Sequence, residues 1–113
     1  MNATHHLDAA FGALADGTRR AIVARLCAHE TLPVSELAEP FEMSLPAVMK
    51  HLGVLERAGI ISRIKTGRTV HCRLQPDAMK SASEWLARQE AFWSRQLDAL
   101  AAFVETDNDE DLR

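Results

Sequence analysis

Ser44-Leu45-Pro46-Ala47-Val48-Met49-Lys50-His51-Leu52-Gly53-Val54-Leu55-Glu56-Arg57-Ala58-Gly59 reads as one whole helix with both ends marked. Ser44 is an N-cap residue, able to accept a backbone N–H that the helix itself leaves unpaired. Pro46 falls in the first turn, where a missing N–H costs nothing and a fixed φ helps. Gly59 supplies the stop. Leu45, Val48, Leu52 and Leu55 recur at helical spacing and form the expected buried stripe. The surface left over carries Pro46, Ala47, Met49, Lys50, Gly53 and Val54.

Just upstream, Pro33 introduces a shorter helix expected over Val34 to Phe41, with Leu37, Ala38 and Phe41 on one face. Glu42-Met43-Ser44 is the turn between the two. Further back, Leu7, Ala10, Phe11 and Leu14 keep a helical period. Asp16-Gly17-Thr18 breaks that run and offers Asp16 as the cap of a second helix, Thr18 to Ala28. Ala21, Ile22, Val23 and Leu26 are its expected core residues, with Cys27 among them as a small apolar filler.

Downstream the pattern changes. Ile60 to Lys65 and Thr69 to Leu74 are β-branched and roughly alternating, and Thr66-Gly67-Arg68 joins them into a hairpin with a basic tip. Pro76 then opens a long helix to about Val104, with Asp77 in its first turn. The expected fold is mostly α with a small β-hairpin, in the order α-α-α-α-β-β-α. This is a winged helix-turn-helix.

The chain has 113 residues, enough for one core. Residues 1–104 are expected to form the domain, and residues 105–113 an acidic, disordered tail, since five of the seven residues from Glu105 to Asp111 are acidic. No apolar run is long enough to span a bilayer. Met1 to His6 lacks a basic region followed by an apolar stretch, and two cysteines are too few for a disulfide framework, so the expected setting is the cytoplasm. The net charge of -3 argues against a nucleic-acid partner until its distribution is considered. From Ser44 to Arg73 the chain holds Lys50, Arg57, Arg63, Lys65, Arg68 and Arg73 against Glu56 alone, a local +5. Salt screens charges beyond roughly 8–10 Å, so the local value governs attraction to phosphate.

Two short helices with a tight turn, followed by a basic hairpin, is an arrangement that reads DNA. The second helix fits a major groove about 12 Å wide, with its N-terminal residues against base edges. The expected contacts are Ser44, Pro46, Ala47, Met49, Lys50 and His51 on the helix, with Lys65 and Arg68 at the hairpin tip. Ser44 and the N–H groups at the helix start can hold a phosphate. The apolar face suits thymine methyls, and Lys50 is the single candidate reader of guanine.

The same residues resemble a known family. Leu14 to Val23, Val34 to Ala38 and above all Ser44 to Ile61 are similar to the ArsR/SmtB repressors, and the likeness runs from about Leu7 to Val104. It implies a homodimeric winged-helix repressor of an inverted-repeat operator, paired through its first and last helices. The metal-sensing members keep Cys-Val-Cys where this chain has Pro33-Val34-Ser35, and Asp, His and Glu ligands on a last helix that here, from Pro76 to Val104, has neither His nor Cys. No metal or other cofactor is therefore expected at those sites, and the inducer stays open.

Met79, Ala82, Leu86, Trp93, Leu97, Leu100 and Val104 form a stripe on the last helix, widened by Trp85, Phe92 and Phe103. Four short helices cannot cover that much apolar surface, so a second copy is the expected cover. Phe11, Leu14, Trp85, Leu86, Phe92, Trp93, Leu97 and Leu100 are the expected interface. Two alternatives stand beside this reading: a protein-binding winged helix without DNA binding, and a thiol-based redox-sensing repressor using Cys27 and Cys72. An enzyme is not expected, because no nucleophile, base and pocket come together; Ser44 and His51 lie two helical turns apart.

Overall fold

The computed structural model describes residues 3–111, with side chains from residue 6 to residue 106. The helices are α1 (Ala3–Leu14), α2 (Gly17–Ala28), α3 (Val34–Ala38), α4 (Leu45–Arg57) and α5 (Pro76–Asp111). The strands are β1 (Leu32–Pro33), β2 (Ile61–Thr66) and β3 (Thr69–Leu74). The chain divides into two compact units, one ending at Ala82 and one beginning at Ser83.

The first unit is built around Ile22, Leu26, Leu37, Val48, Leu52, Leu55, Ile60, Ile61 and Cys72, all nearly inaccessible to solvent. α1, α2 and α4 pack on one another, α4 also packs on β2, and α3 packs on β1 and β3. Ala78 and Met79, from the start of α5, pack against the cluster.

Each end of α4 is made as its sequence implies. Ser44, in an extended conformation, accepts the Ala47 N–H on its hydroxyl, and its carbonyl accepts from Val48. At the other end Gly59 adopts φ 76°, its N–H donates to Glu56 O, and the Ile60 N–H reaches back to Leu55 O at 3.0 Å. That pair of bonds is a Schellman stop, and Leu55 and Ile60 supply its apolar contact, both buried.

Several expectations are corrected. The hairpin is part of a three-stranded antiparallel sheet in the order β1-β3-β2, because Leu32 pairs with Cys72 and Pro33 with His71. Proline is tolerated there because β1 is an edge. α3 ends at Ala38, not Phe41: Pro40 would lack the next helical N–H and clash with the preceding turn. Leu45 leaves the buried stripe and is 56% exposed. At the first position of a helix the Cα–Cβ bond tilts beyond the N-terminus, away from the core. Ala21 and Cys27 lie on the outer side of α2, both exposed, and only Ile22, Val23 and Leu26 of that helix are buried. α1 begins at Ala3 and α5 continues past Val104 to Asp111, with no Gly or Pro to stop it. The acidic run from Glu105 to Asp111 thus belongs to α5, and Leu112 and Arg113 lie outside the described residues.

In the second unit α5 carries Trp85, Leu86, Phe92, Trp93, Leu97, Leu100, Phe103 and Val104, all exposed in a single copy. Phe92 and Trp93 meet edge to face, their ring centroids 6.2 Å apart.

A Cβ at Gly59 would have room, since its nearest neighbour would be Ala78 Cβ at 4.0 Å, so the obstacle there is backbone conformation alone. Gly59→Ala is expected to cost about 1–2 kcal/mol, the penalty for a side chain in the left-handed region. Urea denaturation should give a lower midpoint with an unchanged slope.

Candidate nucleic-acid interface

The first two turns of α4 present Leu45, Pro46 and Lys50 to solvent, with Ala47 and Met49 half-buried beneath them. The helix start keeps few donors. Pro46 has no N–H, the Ala47 N–H is taken by the Ser44 hydroxyl and the Val48 N–H by the Ser44 carbonyl. Of the first four residues only Leu45 retains an N–H beyond these bonds, so few backbone donors at this helix end are open to an anion.

The hairpin tip is a two-residue turn. Thr66 pairs with Thr69, and Gly67 takes φ 64° while Arg68 keeps a negative φ. A left-handed glycine at the first turn position matches the right-handed twist of the strands it joins. Lys65, Arg68 and Arg73 are exposed on the hairpin.

Arg63 does not join them. It donates to Glu56 Oε1 at 2.9 Å and ties β2 to the last turn of α4. That hydrogen bond holds the Glu56 carboxyl below the usual carboxylate range and raises the Arg63 guanidinium further. The pair is partly exposed, so its stabilisation lies below about 1 kcal/mol, and it is a direct side-chain tie between the hairpin and α4.

Helix and wing share one open cleft of about 320 Å³, lined by Leu45 and Met49 of α4, Arg68, Thr69 and Val70 of the wing, and Pro33, Val34 and Ser35 at the head of α3. Met49 and Arg68 are thereby brought together. Leu45, Thr69 and Ser35 were not among the expected residues. The helix-end tilt could have flagged Leu45; nothing in the sequence marks the other two.

His51 is placed elsewhere. Its Nδ1 lies 3.3 Å from Arg19 Nη1 and 3.9 Å from Asp16 Oδ2, at the elbow between α1 and α2. A guanidinium only donates, so this contact uses Nδ1 as acceptor and leaves the ring proton on Nε2. Arg19 also donates through Nε to Ala13 O at 2.6 Å and through Nη2 to Gly12 O, satisfying carbonyls at the end of α1. Asp16 caps α2 by accepting the Arg19 N–H at 3.1 Å. That bond first, with the charge of Arg19, holds the Asp16 carboxyl below its ordinary value. One side chain thus links the end of α1, the start of α2 and the middle of α4.

Neither cysteine is set up as a reactive pair. Cys72 is buried in β3 opposite Leu32 and Arg63, and burial pushes its thiol up. Cys27 is exposed on α2. Among the described residues no three His, Cys, Asp or Glu side chains converge as a metal site would need, and no helix is long and apolar enough to cross a membrane.

Residues 14–64 match a helix-turn-helix domain family. The HTH-type transcriptional regulator Rv2034 of Mycobacterium tuberculosis is 41% identical over 103 residues, covering 91% of this chain and 92% of that one. The crystal structure of an ArsR family transcriptional regulator, RHA00566, superposes with a TM-score of 0.74 at 42% identity, over 80% of this chain and 93% of the other. The solution structure of a homodimeric winged helix-turn-helix domain from Mycobacterium bovis shares the fold at a TM-score of 0.63 and 22% identity, over 79% of this chain and 83% of the other.

Arg19→Ala is expected to cost about 1–3 kcal/mol, since it strips partners from two carbonyls and from His51 together. Thermal unfolding measures the loss. Arg19→Lys should recover only part of it, because an ammonium lacks the planar fork that reaches Gly12, Ala13 and His51 at once.

Proposed function

The chain belongs to the ArsR family of winged helix-turn-helix transcriptional regulators, and on that premise we propose that it acts as a homodimeric repressor of an inverted-repeat operator. The observation that carries this reading is the shared cleft of α4 and the wing, flanked by the exposed cations Lys50, Lys65 and Arg68. α4 enters the major groove with Leu45, Pro46, Ala47, Met49 and Lys50 foremost. Lys65 and Arg68 grip the backbone or the minor groove beside it. Ser44 contributes by capping the helix, and His51 by fixing its position against Arg19 and Asp16.

Dimerisation is supported by α5. Among the described residues, eight of the ten exposed large hydrophobic side chains belong to that helix, a concentration that a lone soluble chain rarely shows. Leu86, Trp93, Leu97, Leu100 and Val104 repeat at helical intervals and form the centre of the interface, with Trp85 and Phe92 beside them. Phe11 and Leu14 of α1, each half-buried, are the further candidates for pairing that the first unit offers. The M. bovis domain of the same fold is homodimeric, which supports a dimer here without saying which helices form it. Two-fold symmetry then sets two reading helices roughly 34 Å apart, one turn of DNA. Repression follows by occlusion of the promoter, in the cytoplasm, with no catalytic step and no resident cofactor. A winged helix that binds protein alone would leave the cations around the cleft without a role. A thiol switch built on Cys27 and Cys72 together would need Cys72, which is buried and whose thiol that burial pushes up.

Replacing Lys50, Lys65 and Arg68 together by Ala is expected to abolish operator binding at physiological salt. The slope of log K against log salt should fall by about 0.9 for each phosphate that is no longer neutralised. Titrating a labelled duplex at several salt concentrations measures both; an unchanged slope would overturn the assignment of these cations. Trp93→Asp should convert a dimer into a monomer at micromolar concentration, read by sedimentation velocity, with far-ultraviolet circular dichroism retained. A wild-type chain that already sediments as a monomer would defeat the dimer.

A further inference from the structure

We propose that Leu45, backed by Pro46 and Met49, reads thymine 5-methyl groups, so that it is a specificity-determining residue and the operator half-site carries thymine beneath the head of α4. This rests on the DNA-binding reading given above and adds the chemistry of the sequence that is read.

Leu45 is unusual within its unit. Of the large hydrophobic side chains described up to Ala82, only Leu45 and Ile64 are strongly exposed, and Ile64 lies on the wing strand β2. Leu45 stands at the first position of α4, directly after the Ser44 cap, and borders the cleft that also holds Met49 and Arg68. It therefore projects from the end of the helix that enters the groove first.

The polar inventory of that end decides what it can recognise. Adenine is read in the major groove by a group that both donates and accepts, cytosine by an acceptor, and guanine by a donor. Leu45, Pro46, Ala47 and Met49 have no side-chain donor and no conventional acceptor, and the Ser44 hydroxyl already accepts from Ala47. The Ser44 O–H and Lys50, one turn further along, are the side-chain donors there, and both also suit phosphate oxygens. The thymine 5-methyl is the one major-groove feature that an apolar head can distinguish, since contact with it removes apolar surface from water on both partners. Phosphate attraction from Lys65 and Arg68 supplies affinity without regard to sequence, and at the head of the helix the apolar part of the discrimination falls to Leu45 and its neighbours.

The test begins with the full-length wild-type protein and the tightest-binding duplex selected from genomic fragments of its source. Each thymine of the half-site is replaced in turn by deoxyuracil, which keeps every hydrogen-bonding group and removes only the methyl. At one or two positions the wild-type Kd should rise about four-fold, as expected for one buried methyl group. At those positions Leu45→Ala should bind thymine and uracil duplexes equally, with the salt slope of the wild type. Leu45 is largely exposed, so the variant is expected to fold, and the wild-type uracil series stands without it. Equal wild-type affinity for every uracil duplex overturns the proposal, and so does thymine preference that persists undiminished in Leu45→Ala. A wild-type protein that retains no duplex at any salt concentration defeats the DNA-binding reading itself, a result distinct from either.

Discussion

The burial of Val48, Leu52 and Leu55 against Ile22, Leu26 and Leu37 governs everything that α4 does. A helix can turn about its own axis, and only its buried stripe decides which side chains face out. With three large aliphatic residues wholly inaccessible, rolling α4 by even a third of a turn would bring apolar surface worth several kcal/mol into water. The same turn would drive Lys50 or His51 into the core. The outward face is therefore set by what lies beneath it, and the chemistry presented to a groove is a consequence of core packing.

Roll is one freedom; sliding along the axis is another. Ser44 and the left-handed Gly59 fix the two ends of the helix, so its length is closed. Arg19 and His51 then pin its middle to the α1–α2 elbow, while Glu56 and Arg63 fasten its last turn to β2. Side-chain hydrogen bonds of this kind are individually modest, but they act on different parts of one rigid rod. The wing and the reading helix consequently move as a unit, with α1 joined to the same frame through the carbonyls of Gly12 and Ala13.

Much of this was legible in the residues. Caps, stops and the Gly67 turn depend on local chemistry, and they fell where Asp16, Ser44, Gly59 and Gly67 stand. The aromatic richness of α5 was equally plain. What could not be read was non-local or directional. β1 exists because Leu32 and Pro33 find β3 some forty residues away. Leu45 and Cys27 look like core residues by composition; one leans past a helix end and the other lies on the outer side of α2. His51 and Arg19 are both polar and both distant in sequence, so their contact had no periodic trace. Of the expected interface residues, Met49 and Arg68 meet in one cleft, whereas His51 is turned inward to a supporting position.

Leu45 is 56% exposed and belongs to neither the buried stripe nor any hydrogen bond that holds α4 in place. Substitutions at such a position usually change stability by less than about 0.5 kcal/mol. The first turn of this helix is in that sense an interchangeable bit in a fixed chuck. Random mutation can sample new side chains at Leu45 while the fold persists, so descendants of one gene can come to differ at this exposed helix end without passing through an unfolded ancestor.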